Sequence, residues 1–248
     1  MAEPGVLDLV LLGAAVLVGA STQRISGLGF SLVSAPFLVL LLGPFTGVLL
    51  ANTLSLATNV IVLGQTWRAV DVRKAVLLAL PAVVAVVPGA WVVRALPAPL
   101  LALTTGGLVL VALLAVLATE RARVLHGTAG AVVAGAASGF MNVTAGVGGP
   151  AIGLYGLSTA WTGRSFVATL QLYFLLLNGA SVAAKGWPAL TPATWVVAVG
   201  SLAAGAVSGH HLARHVSAER ARVLVAGLAV LGSAAIVAQA LVELFGPG

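Results

Sequence analysis

The chain has 248 residues, 60% hydrophobic and 7% charged, with a mean hydropathy of +1.13 and a formal net charge of +6. Soluble domains carry about 25% charged residues, so 12 Lys+Arg and 6 Asp+Glu cannot clothe a water-facing surface of this size; a disordered chain needs the opposite balance. The absence of cysteine also excludes disulfides, thiol nucleophiles and thiolate metal sites.

Region 7–43 is too long for one membrane crossing and is cut by Gln23, Arg24 and Gly27-Leu28-Gly29. Glu3 and Asp8, not a basic stretch, precede its apolar start, so it reads as a retained membrane segment and not a secretory signal. The piece after the cut, 30–42, has 13 residues. At 1.5 Å per residue it reaches ~20 Å, which predicts a half-helix. Runs at 47–64, 74–93 and 100–118 approach the roughly 20 residues that cross ~30 Å of hydrocarbon. Region 128–160 is cut again, at Asn142 and at Gly146-Val147-Gly148-Gly149-Pro150, and runs at 166–184, 194–212 and 223–244 follow. A β-barrel needs short alternating segments. The expected fold class is therefore all-α, a polytopic integral membrane protein of 8–10 transmembrane segments with interrupted helices.

Basic residues give the sidedness. With the N-terminus outside, the inside loops hold Arg24, Arg68, Arg73, Lys74, Arg121, Arg123, Arg164, Arg214, Arg220 and Arg222. The outside loops hold only Arg94 and Lys185, a strong positive-inside bias that places both termini outside. The positive charge thus reads as topology, with the lipid bilayer as partner and no nucleic acid. Trp67, Trp91, Trp161, Trp187 and Trp195 all fall near predicted helix ends, as an interfacial belt requires.

The two halves align at a shift of 119–120 residues, giving one transporter domain over 1–248 with repeats at about 5–118 and 124–244. Gly27-Leu28-Gly29 matches Gly146-Val147-Gly148, Gln23 falls on Asn142, Asn52 on Gln171 and Asn59 on Asn178. Scarce amides weigh more than abundant glycines. Each half holds an odd number of crossings, so the second copy is expected upside down, and inverted repeats with broken helices mark secondary transporters.

Each break ends at the N-terminus of a half-helix that starts inside the membrane, where unpaired N–H groups and about half a positive charge favour an anion. Small residues that merely permit close helix packing are the alternative reading. Asn52, Ser55 and Asn59 share one helix face, and Gln171 and Asn178 form its counterpart, with Tyr173 and Ser181 nearby. Such a stripe marks a pathway or serves as interhelical glue. Arg24, beside the first break, either pairs with the anion or anchors the chain at the cytoplasmic face. No carboxylate falls firmly at membrane depth, which disfavours a cation carrier. His211 and His215 sit at a helix end with no third ligand and read as a basic interfacial cluster, so no metal and no cofactor is expected.

Two stretches carry a family resemblance: Ser26-Gly27-Leu28-Gly29-Phe30-Ser31-Leu32-Val33-Ser34-Ala35-Pro36 and Ala145-Gly146-Val147-Gly148-Gly149-Pro150. With the stretch from Gly205 to Arg214 and the duplicated organisation, the chain resembles the TauE/SafE family of sulfite and organosulfonate exporters. The resemblance implies a bacterial or archaeal inner-membrane protein, not an enzyme, that moves sulfite or a related small anion. Phe30 stands where many members carry a fuller glycine run. The expected substrate-binding residues are Gln23, Arg24, Gly27, Gly29, Ser31, Asn52, Asn59, Asn142, Gly146, Gly148, Gly149, Gln171, Tyr173 and Asn178. A transporter of another small metabolite, a non-transporting scaffold and a homo-oligomer stay open from the sequence.

Overall fold

A computed structural model describes residues 4–26, 30–119, 125–212, 215 and 218–246. Among these are ten α-helices: α1 (Val6–Ser26), α2 (Phe30–Leu42), α3 (Pro44–Thr66), α4 (Val72–Ala95), α5 (Ala98–Thr119), α6 (Gly127–Ala145), α7 (Gly149–Ser158), α8 (Gly163–Lys185), α9 (Pro192–Leu212) and α10 (Ala218–Phe245). Seven of them are long and apolar enough to cross a membrane. α6 has 19 residues but dilutes its apolar character with Gly, Ser, Thr and Asn, while α2 and α7 are short.

The helix boundaries follow local chemistry. Gly43 takes φ +80°, open to glycine, and Pro44 then starts α3 where its missing N–H costs nothing. Asp71 caps α4 by accepting from the Lys74 amide at 3.1 Å, and that hydrogen bond holds its carboxyl below the usual carboxylate value. Gly146, left-handed at φ 72°, closes α6 with its N–H on the Asn142 carbonyl.

Packing contacts fix the helix directions. α1 runs parallel to α9, with Gly13 beside Val197 and Ser201, and Ser21 donating to the Gly205 carbonyl at 3.1 Å. α4 runs parallel to α6, with Gly135 against Leu78 and Gly139 against Ala82. α3 packs on α8 and α5 on α10. Exchanging each helix for the one five places on exchanges these pairings. One face of the bundle carries the α2–α3, α4–α5 and α8–α9 connections, with Arg94 and Lys185 beside them. The other face carries the remaining long-helix connections, with Arg68, Arg73, Lys74, Arg164 and Arg220.

The bundle is apolar outside as well as inside. Leu80, Val84 and Val87 on α4, Val111 and Leu114 on α5, and Leu231 and Val242 on α10 are all exposed. In water such a surface would be an aggregation site; in hydrocarbon it is the solvated one, and the helices satisfy their own backbone. Trp67, Trp91 and Trp187 are exposed near helix ends, and Lys74 lies 4.8 Å from the Trp161 ring centroid.

Candidate functional site

Both half-helices fold back along the helix before them. Ser34 on α2 donates to the Ala15 carbonyl of α1 at 2.9 Å, and Gly19 lies against the Phe30 carbonyl. Ser138 on α6 donates to the Gly148 carbonyl at 2.7 Å, and Ser158 at the end of α7 reaches the Leu125 amide at 3.4 Å. Each half-helix therefore starts about two turns back from the end of its predecessor. α2 returns to the face bearing Gly43, α7 to the face bearing Leu125. Their N-termini approach each other at mid-depth from opposite sides.

Between them lies a cavity of about 30 Å³. A single water needs ~10–15 Å³, so a water or two, or an anion of a few atoms, fills it. Its polar lining is Gln23 from α1, Ser31 at the start of α2, Ser55 and Asn59 from α3, Asn142 from α6, and Gln171 and Asn178 from α8. Val147, Gly148 and Gly149 bring in the N-terminus of α7, and Leu32 and Phe174 are the apolar part. Among the described residues no carboxylate and no basic side chain lines it.

The amides form a chain across the interface of the two halves. Asn59 donates to Gln171 Oε1 at 2.8 Å and accepts from Asn178 Nδ2 at 3.0 Å. Asn142 Nδ2 donates to Asn178 Oδ1 at 3.0 Å and to Ser181 Oγ at 3.1 Å. On the other side of the cavity Ser31 and Ser55 hydroxyls meet at 2.7 Å, and Gln23 donates to Thr58 at 3.4 Å. A side chain such as Gln23, held at 3.4 Å by one hydroxyl, exchanges that partner for a ligand at small cost.

Eight of the fourteen residues expected from the sequence line this cavity: Gln23, Ser31, Asn59, Asn142, Gly148, Gly149, Gln171 and Asn178. Asn52 does not. It is fully buried nearer the Gly43 face, where its Nδ2 donates to the Asn142 carbonyl at 3.2 Å. Tyr173 does not line it either: it is fully buried in the apolar cluster with Leu177 and Ile152, its ring edge-on to Phe174 at 4.9 Å. Gly146 shapes the end of α6 without facing the cavity. Gly27, Gly29 and the side chain of Arg24 lie outside the described residues. The apolar liners Leu32, Val147 and Phe174 carry no chemical signal in the sequence. Thr58 and Thr169 also matter: Thr169 Oγ1 accepts from the Asp71 amide at 2.9 Å, tying α8 to the α3–α4 connection.

A second cavity, about 190 Å³, opens among α2, α5 and α10 near the Gly43 face. Its lining is mostly apolar, and two of its polar side chains, Gln239 and Glu243, satisfy each other at 2.9 Å. It offers a ligand little beyond apolar contact.

A lipid-facing bundle with broken helices meeting around a buried polar cavity is the architecture of a multi-pass membrane transporter. The sequence profile of the Sulfite exporter TauE/SafE family matches residues 11–236, nearly the whole chain. The protein belongs to that family, which is one of transporters of small anions and not of enzymes. No curated protein and no solved structure matches the chain.

Proposed function

We propose that the protein is a secondary transporter of a small oxyanion, sulfite or a compact organosulfonate, by alternating access at the cavity between α2 and α7. The convergence of the two half-helix N-termini on that cavity is the observation that carries this reading. Each terminus presents unpaired N–H groups and a positive partial charge, and the amides and hydroxyls around them supply donors that need no proton exchange. With no carboxylate among its described lining residues, the cavity spares an anion that repulsion. At about 30 Å³ the cavity suits sulfite better than a longer sulfonate in this state.

Repeat symmetry supports the alternation. Helix starts of the second half follow those of the first at shifts of 119–120 residues: Phe30 and Gly149, Pro44 and Gly163, Val72 and Pro192. We read the halves as inverted copies whose exchange of conformation opens the cavity to one side and then the other. The arginine-bearing face is the cytoplasmic one under the positive-inside rule, with the termini outside and the protein in an inner membrane.

Proteoliposomes loaded with labelled sulfite test the reading. Saturable sulfite flux is expected, inhibited by competing oxyanions and reduced at least tenfold in Gly148→Leu and Asn178→Leu. Wild-type flux in both variants would place transport elsewhere in the molecule.

A further inference from the structure

Lys185 is the only charged side chain buried among the described residues, and the transport reading above gives it no part. Its ammonium donates to the Val143 carbonyl at 3.0 Å, in the last turn of α6. No described carboxylate pairs with it; the described ion pair of the chain is Lys74 with Asp71, on the opposite face. Burying a charge on a neutral partner is costly. An ordinary helix end would place this lysine in the interface, where its long stem lets the charge reach water.

Its position ties it to the cavity. Gln171, Asn178, Ser181 and Lys185 follow one another on α8 at spacings of seven, three and four, a single helix face. Asn178 and Ser181 both hold the Asn142 side chain, and Asn142 lines the cavity one residue from Val143. The polar face thus runs unbroken from the cavity to the Arg94 face of the bundle. There Arg94 donates to the Ala184 carbonyl, one residue from Lys185. An ammonium has three N–H donors, and the Val143 carbonyl occupies one.

We propose that Lys185 is an anion-binding residue on the route between the cavity and the Arg94 face. Its ammonium exchanges the Val143 carbonyl for the oxyanion as the route opens and returns to it as the route closes. The inference rests on the transport reading and adds to it a charged waypoint, specific to one side of the membrane, that recognises the negative charge of the cargo.

The test measures sulfite flux in proteoliposomes separately from each side. Lys185→Gln keeps a donor for Val143 and loses the charge. It is expected to raise KM at least tenfold for sulfite entering from the Arg94 face, with KM from the opposite face within threefold of wild type. The cysteine-free chain allows a second arm, Lys185→Cys, which makes the sole thiol. Alkylation with 2-bromoethylamine rebuilds an amine of nearly native length and is expected to restore KM to within threefold; iodoacetamide, which leaves a neutral amide, is not. Unchanged KM in Lys185→Gln, or equal rescue by iodoacetamide, overturns the proposal. Should Lys185→Gln fail to fold, the two alkylated forms decide the question alone. Wild-type flux with normal Lys185 variants rejects only this inference, whereas a wild type that moves no sulfite rejects the transport reading and the inference with it.

Discussion

Asn59 and Asn178 stand 119 positions apart, hold equivalent places in the two halves, and hydrogen-bond side chain to side chain at 3.0 Å. With the halves read as inverted copies, as proposed, such a pair lies beside the axis that relates them. The bond network is nevertheless lopsided. Asn142 reaches Asn178, while its counterpart Gln23 reaches Thr58 instead of Asn59. Asn178→Leu strands Asn59 Oδ1 and one donor bond of Asn142, and Asn59→Leu strands the Asn178 side-chain amide and Gln171 Oε1. A buried group left without its partner costs ~1–3 kcal/mol, so each single variant is expected to unfold several degrees below wild type in detergent. The double variant strands fewer groups than the singles combined. Its loss is expected to be smaller than the sum of theirs, with a coupling of about 1 kcal/mol in a double-mutant cycle; strict additivity would mean that the pair is not formed. These amides were legible in the sequence because Asn and Gln are scarce in an apolar chain. Their roles were not equally legible. Tyr173 lies two residues from Gln171, hence on another side of α8, and Asn52 lies two turns from Asn59, beyond the depth of the cavity. Helix rotation and depth come from tertiary packing. Lys185 illustrates the same limit: the apolar run stops at Ala184, but α8 continues for one more residue and turns the lysine inward.

At the scale of elements, the short helices were the most legible. The Gly27-Leu28-Gly29 cut and the Gly43-Pro44 stop bracket residues 30–42, and α2 occupies that span to the residue. The helix pairs were not legible, because glycines that permit close approach look like glycines that merely fill space. A methyl group tells them apart. At Gly139 a Cβ would stand 2.1 Å from the Ala82 carbonyl oxygen of α4, and at Gly205 it would stand 2.5 Å from the Leu17 carbonyl oxygen of α1. Those are backbone atoms of the parallel pairs α4–α6 and α1–α9, and no side-chain rotation relieves the clash. Gly107 and Gly200 face open space. Gly139→Ala and Gly205→Ala are expected to lose ~1–3 kcal/mol through overpacking. Gly107→Ala and Gly200→Ala are expected to be neutral, or to gain up to ~1 kcal/mol from helix propensity. Thermal unfolding of the four variants separates the groups; a destabilised Gly200→Ala with a stable Gly139→Ala would reverse the assignment of tight and open helix faces.

The whole molecule departs from symmetry in one respect that bears on transport. α4 lies along α8, whereas its counterpart pair, α9 and α3, barely touches; α2 packs closely on α3, whereas the α7 and α8 backbones stand further apart and meet through large side chains such as Phe166 beside Gly156. With the halves read as inverted copies, as proposed, this difference is the one that alternating access requires if the halves take turns. The exchanged state would loosen α4 from α8 and lay α9 along α3. Asp71 and Thr169, joined at 2.9 Å, mark the closed pair. At the shifts that relate the halves, 120 and 119, their counterparts are Thr191 and Leu50. In the cysteine-free chain a short bis-maleimide, whose thioethers survive sulfite, is expected to bridge Asp71→Cys with Thr169→Cys readily and to arrest sulfite flux. Leu50→Cys with Thr191→Cys is expected to resist bridging at rest and to be bridged during turnover, with the same arrest. Each single cysteine serves as its own control for local damage. If the Asp71–Thr169 bridge leaves flux intact, the α4–α8 contact is static scaffold, and access must alternate through some other part of the bundle.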